Sequence, residues 1–433
     1  MRRWICLISL LISLCPLYSL AAAKAVILPI NGPIGPATQD YIERGLKEAA
    51  EEKAAIVILE INTPGGLETS MRGINNAIIA SPVPVVSYVA PSGARAASAG
   101  TFILYASHLA AMAPGTNLGA ASPVQLTGPT ETDDKKAMDT HTKKAMNDAA
   151  AYIRSLAEMR NRNGAWGEKA VREAASLSAE EARKQKVIEI VANDYQALLK
   201  EINRHIITID GKTKTINTSQ MTLDKKEPGL RYQFLSFITN PNIVYILMLI
   251  ALYGLFFELS NPGLILPGVA GVIALLLVLY AFQLMPINYV GLFLILIGIT
   301  FMILEVFITS FGMLGIGGLI AFIIGSVMLF DIQHPAFRID RSLIMIMTAV
   351  TMTFFFIIMG LVIKSQKRAM ITGKDSLIGS TGTVISVMNE QVVVKISGEI
   401  WEARSRTMLP IGQKVKVVSI EGLILHVEPV EGL

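Results

Sequence analysis

Residues 88–104 read YVAPSGARAASAGTFIL and set Ser98 among alanines and glycines, just after the apolar run PVPVVSYVA at 82–90. The pattern is a buried strand, a Pro91-Ser92-Gly93 turn and the start of a helix. Small residues at such a junction permit close backbone approach, and the first amides of a helix favour negative charge. Ser98 is then either a cap or packing residue, or a nucleophile, and this stretch alone leaves both open.

Outward from Ser98, the apolar runs AVILPI (25–30), AAIVILEI (54–61) and VPVVSYVA (83–90) alternate with amphipathic stretches such as TQDYIERGLKEAAEE (38–52) and LETSMRGINNAIIAS (67–81). Alternation of this kind predicts an α/β domain whose sheet is largely covered by helices, with its site at strand ends. A long helix is expected over Lys135–Arg160, then a helix feeding a short buried strand in VREAASLSAEEARKQKVIEIV (171–191). A hairpin is expected at Asp210-Gly211, and a polar linker from Thr218 to Glu227.

A serine nucleophile needs a base and amide donors for the oxyanion. The strand ILEIN ends in Thr63-Pro64-Gly65-Gly66, where two glycines free backbone amides to point into an open site, although a Pro-Gly-Gly sequence also serves as a plain turn. None of His108, His141, His205, His334 and His426 stands in triad order with an acid. On the long helix Lys144 shares a face with Asp148, Ala151 and Ser155, while Lys143 lies on another. A lysine serves as base when burial keeps it neutral; the ordinary fate of a helix lysine is solvation.

With 52% hydrophobic residues over 433, the chain is too apolar for a wholly soluble enzyme. Arg2 and Arg3, the apolar run Trp4–Leu20 and Ala21-Ala22-Ala23 read as a secretory signal over 1–23. Both cysteines, Cys6 and Cys15, fall within it, so neither disulfide nor cysteine metal site is expected beyond it. No other metal or cofactor motif is present in the sequence. Lys and Arg number 38 against 34 Asp and Glu, a balance that carries no nucleic-acid signal.

Apolar spans are expected at about 243–259, 269–285, 289–309, 314–330 and 343–363, within a membrane domain over 243–363. The first, second and fourth are short for a hydrocarbon core of about 30 Å. An odd number of spans carries an exported N-terminal domain to a cytoplasmic C-terminus, and Lys364, Lys367, Arg368 and Lys374 follow the last span. FFELSNPGLILPGVAGVIA (256–274) aligns with ILEVFITSFGMLGIGGLIA (303–321) at an offset of 47, superposing Glu258 on Glu305 and Gly271 on Gly318. A helical hairpin is used twice, in parallel orientation. The two acids are proton or ion groups, or structural groups that cap the cytoplasmic ends of spans or bind turn amides, with the structural reading favoured by the lack of a basic partner within the spans. Residues 377–433 hold five alternating runs with glycine turns, the pattern of a small β-barrel such as an OB-fold, with one aromatic, Trp401, too few for base stacking.

INTPGG (61–66) with GARAASAG (93–100) resembles the ClpP/crotonase fold. Together with MAPGTNLGAASPV (112–124), AAYIRSLAEMRNRN (150–163), LYGLFFELSNPGLILPGVAG (252–271) and the terminal barrel, the chain resembles the NfeD family of membrane-bound, ClpP-class serine proteases over nearly its whole length. The resemblance implies a protease domain over 24–204 with a Ser-Lys dyad, a hairpin and linker over 205–242, and an OB-fold domain at 377–433. It implies Ser98 as nucleophile, Lys144 as base and amides of Gly65 or Gly66 and of Ala99 as the oxyanion hole. It further implies a stomatin/SPFH-type membrane partner, a homo-oligomer, no cofactor and no metal, and a multi-pass inner-membrane protein with the protease domain exported and the barrel cytoplasmic. The rivals are a signal-peptide peptidase, against which the spans and barrel speak, crotonase-type acyl-CoA chemistry, which fits poorly with export, and a scaffold with little or no turnover that organises SPFH assemblies.

Overall fold

The structure, a computed structural model, describes residues 23–123, 135–209, 211–219, 221–263, 265–308, 312–330, 337–366, 377–388 and 391–430. The expected signal segment falls, but for Ala23, outside them. One compact unit comprises the α/β domain and the membrane helices to Val350, and a second holds the end of the last helix and the C-terminal barrel.

The α/β domain runs β1 (Lys24–Asn31), α1 (Pro36–Glu51), β2 (Ile56–Asn62), α2 (Glu68–Ile79), β3 (Val85–Val89), β4 (Arg95–Ala97), α3 (Ala99–Ala106), β5 (Leu109–Met112) and β6 (Asn117–Gly119). It continues with α4 (Lys135–Arg160), α5 (Gly164–Arg172), β7 (Ser176–Ser178), α6 (Ala179–Lys184), β8 (Ile190–Val191), α7 (Tyr195–Ile202), β9 (Ile206–Ile209), β10 (Lys212–Thr215) and β11 (Thr222–Lys225). The main sheet is parallel throughout, in the order β11-β1-β2-β3-β5-β8. Successive strands from β1 to β8 step across the sheet in one direction, and right-handed crossovers then put their helices on one face. Val26, Leu28, Ile30, Val57, Leu59 and Ile61 pack there against α1 to α5. Ala25, Ile27, Ile56, Ile58, Val86 and Tyr88 face the other way, onto α7 and Ile207 of β9. Burial on both faces is why these strands read as unbroken apolar runs.

Two features depart from the expected course. The polar stretch Thr218 to Glu227 is not a linker throughout but supplies β11, which pairs in parallel with β1 from Lys24↔Thr222 to Ile27↔Lys225. An edge strand tolerates polar side chains, and here they are tied down: Lys24 pairs with Glu52 and Asp224, Lys225 with Glu60, and Lys226 with Glu52. A second, three-stranded sheet, β4-β6-β7, was not expected at all and joins the main sheet through a bridge between Thr63 and Ala96.

Beyond a short helix α8 (Leu230–Ile238) come α9 (Pro241–Ser260), α10 (Ile265–Leu284), α11 (Tyr289–Phe307), α12 (Met313–Met328) and α13 (Arg341–Gln366). Three, α9, α10 and α13, are long and apolar enough to cross a membrane, and the apolar parts of α11 and α12 are shorter. The first two spans are therefore longer than expected: Pro241 opens α9 from its first turn, and the helix runs on through Glu258 to Ser260. Each hairpin closes through glycine. A Cβ on Gly271 would come within 2.9 Å of the Leu255 nitrogen, and one on Gly318 within 2.6 Å of the Gly298 oxygen.

The second unit contains β12 (Thr381–Met388), β13 (Gln391–Ile396), β14 (Glu399–Arg404), β15 (Lys414–Glu421) and β16 (Ile424–Pro429). They close a barrel in the order β12-β13-β14-β16-β15, with β14 and β16 parallel, which is the Greek-key arrangement of an OB-fold. Val384, Val394, Ile396, Val415, Val417, Leu425 and Val427 fill it.

Candidate active site

The site is built where β2 ends. Thr63 is fully buried; its N–H donates to the Arg95 carbonyl and its own carbonyl accepts from Ala97 N–H, so the end of β2 is stitched to β4. Its hydroxyl turns the chain locally, accepting from Gly65 N–H at 3.0 Å and donating to the Gly65 carbonyl at 3.2 Å. Gly65 has φ +112°, and a Cβ there would lie 2.6 Å from Ser98 Cβ and 3.1 Å from Ser98 Oγ, so glycine is required for the two segments to meet. Gly66 lies against Ile34, whose N–H donates to the Gly65 carbonyl and whose carbonyl accepts from Leu67 N–H.

Ser98 joins β4 to α3 with φ +49° and ψ −114°, a conformation that L-residues avoid and that strand-to-helix nucleophile turns adopt. Its N–H donates to the Gly119 carbonyl at 3.3 Å, its carbonyl accepts from Thr101 N–H at 3.0 Å, and its side chain is partly exposed. Gly100 lets the start of α3 close on Thr63, whose Cγ2 would lie 2.6 Å from a Cβ at that position. The two sequence signals thus meet: Gly65 and Ser98 are in contact. Of the expected oxyanion donors, the Gly65 amide is engaged by Thr63, whereas those of Gly66 and Ala99 have no acceptor among the described residues. Ala99 opens α3, so its amide belongs to the unsatisfied first turn of a helix.

Lys144 sits on α4 and is exposed, and no hydrogen bond joins it to Ser98 among the described residues. The stripe it heads is docked nonetheless. Asp148, one turn on, pairs with Arg72 of α2, and that guanidinium lies 4.4 Å from the centre of the Tyr152 ring. Tyr152 accepts a hydrogen bond from Asn75 at 3.1 Å and stacks on Phe102 of α3 with ring centroids 5.9 Å apart. Lys144, Asp148 and Tyr152 therefore line the side of α4 that faces α2 and α3, while Ala150, Ile153 and Ala157 enter the core. Thr63, Gly119, Arg72 and Asn75, none of them among the expected site residues, hold its parts; Thr63, inside the INTPGG motif, and Gly119, in a small-residue run, carried a local cue, whereas Arg72 and Asn75 did not.

His108 is buried and accepts from Val85 N–H at Nδ1, and burial, with Arg160 and Arg162 nearby, lowers its pKa to about 3, so it is neutral. The membrane acids have different surroundings. Glu305 accepts from Gly312 N–H at 2.9 Å, Leu314 N–H at 3.1 Å and Gly315 N–H at 3.2 Å, the turn-amide form of the structural role. Among the described residues Glu258 accepts only from Gly263 N–H at 3.4 Å, and its other oxygen is buried and finds no partner there. Pro267, which has no N–H, occupies the place of Leu314 in the repeat.

Residues 24–210 match the NfeD1b N-terminal domain, 242–361 the NfeD integral membrane domain, and 374–429 the NfeD-like C-terminal, partner-binding domain. The chain is 36% identical over 418 residues to the membrane-bound protease PH1510 of Pyrococcus horikoshii, covering 94% of each. It is 28% identical to the membrane protein NfeD1b of Bacillus subtilis, covering 92% of this chain and 90% of that one. Among solved structures, the 1510-N membrane-bound stomatin-specific protease, a lysine-to-alanine variant in complex with a substrate peptide, is 36% identical, with 51% of this chain and 99% of that chain covered and a TM-score of 0.45. With a relative this similar along nearly its whole length, and family matches over all three parts, the chain belongs to the NfeD family of membrane proteins.

Proposed function

We propose that this protein is a membrane-anchored serine endopeptidase that cuts apolar segments of a stomatin/SPFH-type partner. The observation that carries the reading is Ser98: a strained residue at the start of α3, in contact with Gly65 and beside amides that have no acceptor among the described residues. Ser98 Oγ attacks the scissile carbonyl carbon and passes its proton to Lys144 Nζ. The amides of Gly66 and Ala99 receive the oxyanion, a choice supported by the engagement of the Gly65 amide with Thr63. Collapse expels the amine, which takes the proton from Lys144, and water then hydrolyses the acyl-enzyme by the same base. Since Lys144 is exposed here, the dyad requires the first turns of α4 to bring its Nζ to Ser98 when substrate binds, where loss of water favours the neutral amine that can take the proton. A stomatin/SPFH-type partner is supported by the stomatin specificity of the similar 1510-N protease and by the match of 374–429 to a partner-binding domain. Export of the protease domain, with the barrel in the cytoplasm, rests on span parity and the basic run after α13.

The exposure of Lys144 favours a second reading, a scaffold of low turnover. A serine-reactive fluorophosphonate and a partner-derived peptide separate the two. The protease reading expects labelling and cleavage that disappear in Ser98→Ala; a folded wild-type protein that takes up no label and cuts no peptide supports the scaffold.

A further inference from the structure

We propose that α8 is an interfacial helix whose outer face enters the lipid headgroup region and seats the α/β domain directly on the bilayer. Two faces of the helix divide the work. Leu235 and Ile238 are buried against Ala37 of α1, with Leu284 at the end of α10 packed on the same cluster. Tyr232 meets Tyr41 edge-on at 5.7 Å, and Arg231 holds Asp40 by two hydrogen bonds of 2.7 and 3.0 Å. The other face carries Leu230, Phe234 and Phe237, which fall on one stripe at helical spacing and are 83%, 50% and 56% exposed. A soluble domain does not leave two phenylalanines and a leucine side by side in water without a partner.

The occupant of that face follows from its neighbours. The span α9 begins at Pro241, three residues after α8 ends, and the span α10 finishes beside α8 at Leu284. Asn242 at the start of α9 exchanges hydrogen bonds with Asp340, just before the span α13, at 2.7 and 2.9 Å. Three membrane helices thus begin or end at one polar level, and α8 lies at that level. An amphipathic helix with aromatic residues on its apolar face, placed at the rim of spanning helices, partitions into the headgroup boundary. Phe337, ahead of α13, reinforces the seat: a Cβ on Gly35 would lie 2.8 Å from its ring. The domain is therefore clamped to the membrane by α1 and α8, and its position does not depend on a free tether.

The test uses the full-length chain, with Cys6→Ser and Cys15→Ser, reconstituted in vesicles of phosphatidylethanolamine and phosphatidylglycerol. A nitroxide is attached to Phe234→Cys or to Ser236→Cys, which lies on the polar side of the same helix. Relaxation by oxygen, which concentrates in lipid, is compared with relaxation by a water-soluble nickel chelate. The expected result is an oxygen-to-nickel ratio several-fold higher at residue 234 than at residue 236. Equal, water-like ratios at both positions overturn the proposal. Protection of residue 234 from both reagents also overturns it, by assigning the stripe to a protein partner or a second copy.

Discussion

Glycine at position 98 should stabilise the α/β domain while leaving it inactive. Ser98 is held at φ +49°, ψ −114°, where an L-residue costs ~1–3 kcal/mol. Ser98→Ala keeps the Cβ, and hence the strain, and removes only a hydroxyl that makes no hydrogen bond among the described residues. Ser98→Gly removes the strain and relieves the contact with Gly65, but gives back about 0.5–1 kcal/mol through the larger freedom of glycine in the unfolded chain. Glycine should therefore exceed alanine by ~1–2 kcal/mol, or roughly 2–8 °C in melting temperature for a domain of this size. The assay is thermal and urea unfolding of a fragment spanning residues 24–227, which includes every strand of the main sheet, with peptide cleavage measured alongside. Both variants should be inactive. A glycine variant no more stable than the alanine variant would refute strain at this turn, and cleavage by either would refute Ser98 as nucleophile.

Lys144→Ala should lower kcat by several orders of magnitude and Lys143→Ala only mildly, because Lys144 alone lies on the stripe that Arg72 and Asn75 dock; the opposite ranking in peptide cleavage excludes the dyad. For His108 the folded pKa, about 3, lies below its unfolded value of ~6.5, so its contribution to stability is present above pH ~6.5 and lost as pH falls toward 3, by at most ~1.4 kcal/mol per pH unit. His108→Asn should flatten that slope in denaturation series between about pH 4 and 7, and an unchanged slope would place the titration elsewhere. Glu305→Gln, facing three amides with one acceptor oxygen and an added donor, should cost ~1–3 kcal/mol, whereas Glu258→Gln should cost less; equal shifts in thermal unfolding in detergent would contradict the asymmetry of the repeat.

Much of this was legible in the residues, for identifiable reasons. β1, β2 and β3 announce themselves because both their faces are buried, and Gly65 and Ser98 because a close contact between chain segments demands small residues. The barrel was legible because its strands bury one face each and alternate. What escaped was set by distant partners. β4, β6 and β7 are three residues each, with no periodicity to read, and form only because Thr63 offers them an edge. The sequence TLDK of β11 looks like solvated linker until β1 and the lysine–carboxylate cluster receive it. The strain at Ser98 is imposed by its neighbours and leaves no compositional trace. The resting place of Lys144 depends on how the Arg72–Asp148 and Tyr152 contacts dock α4, which helical spacing alone does not define.

The pairing of β11 with β1 has a consequence for synthesis. The first strand of the sheet to leave the ribosome waits, with one edge open, for a partner about two hundred residues later, and that partner is made just ahead of α8 and the first membrane span. A chain stopped before Thr222 presents an apolar parallel edge to its neighbours, the kind of surface that drives aggregation. Completion of the α/β domain and insertion of α9 therefore fall at nearly the same moment of translation, so that the domain reaches its finished, self-contained form as it becomes fastened to the membrane.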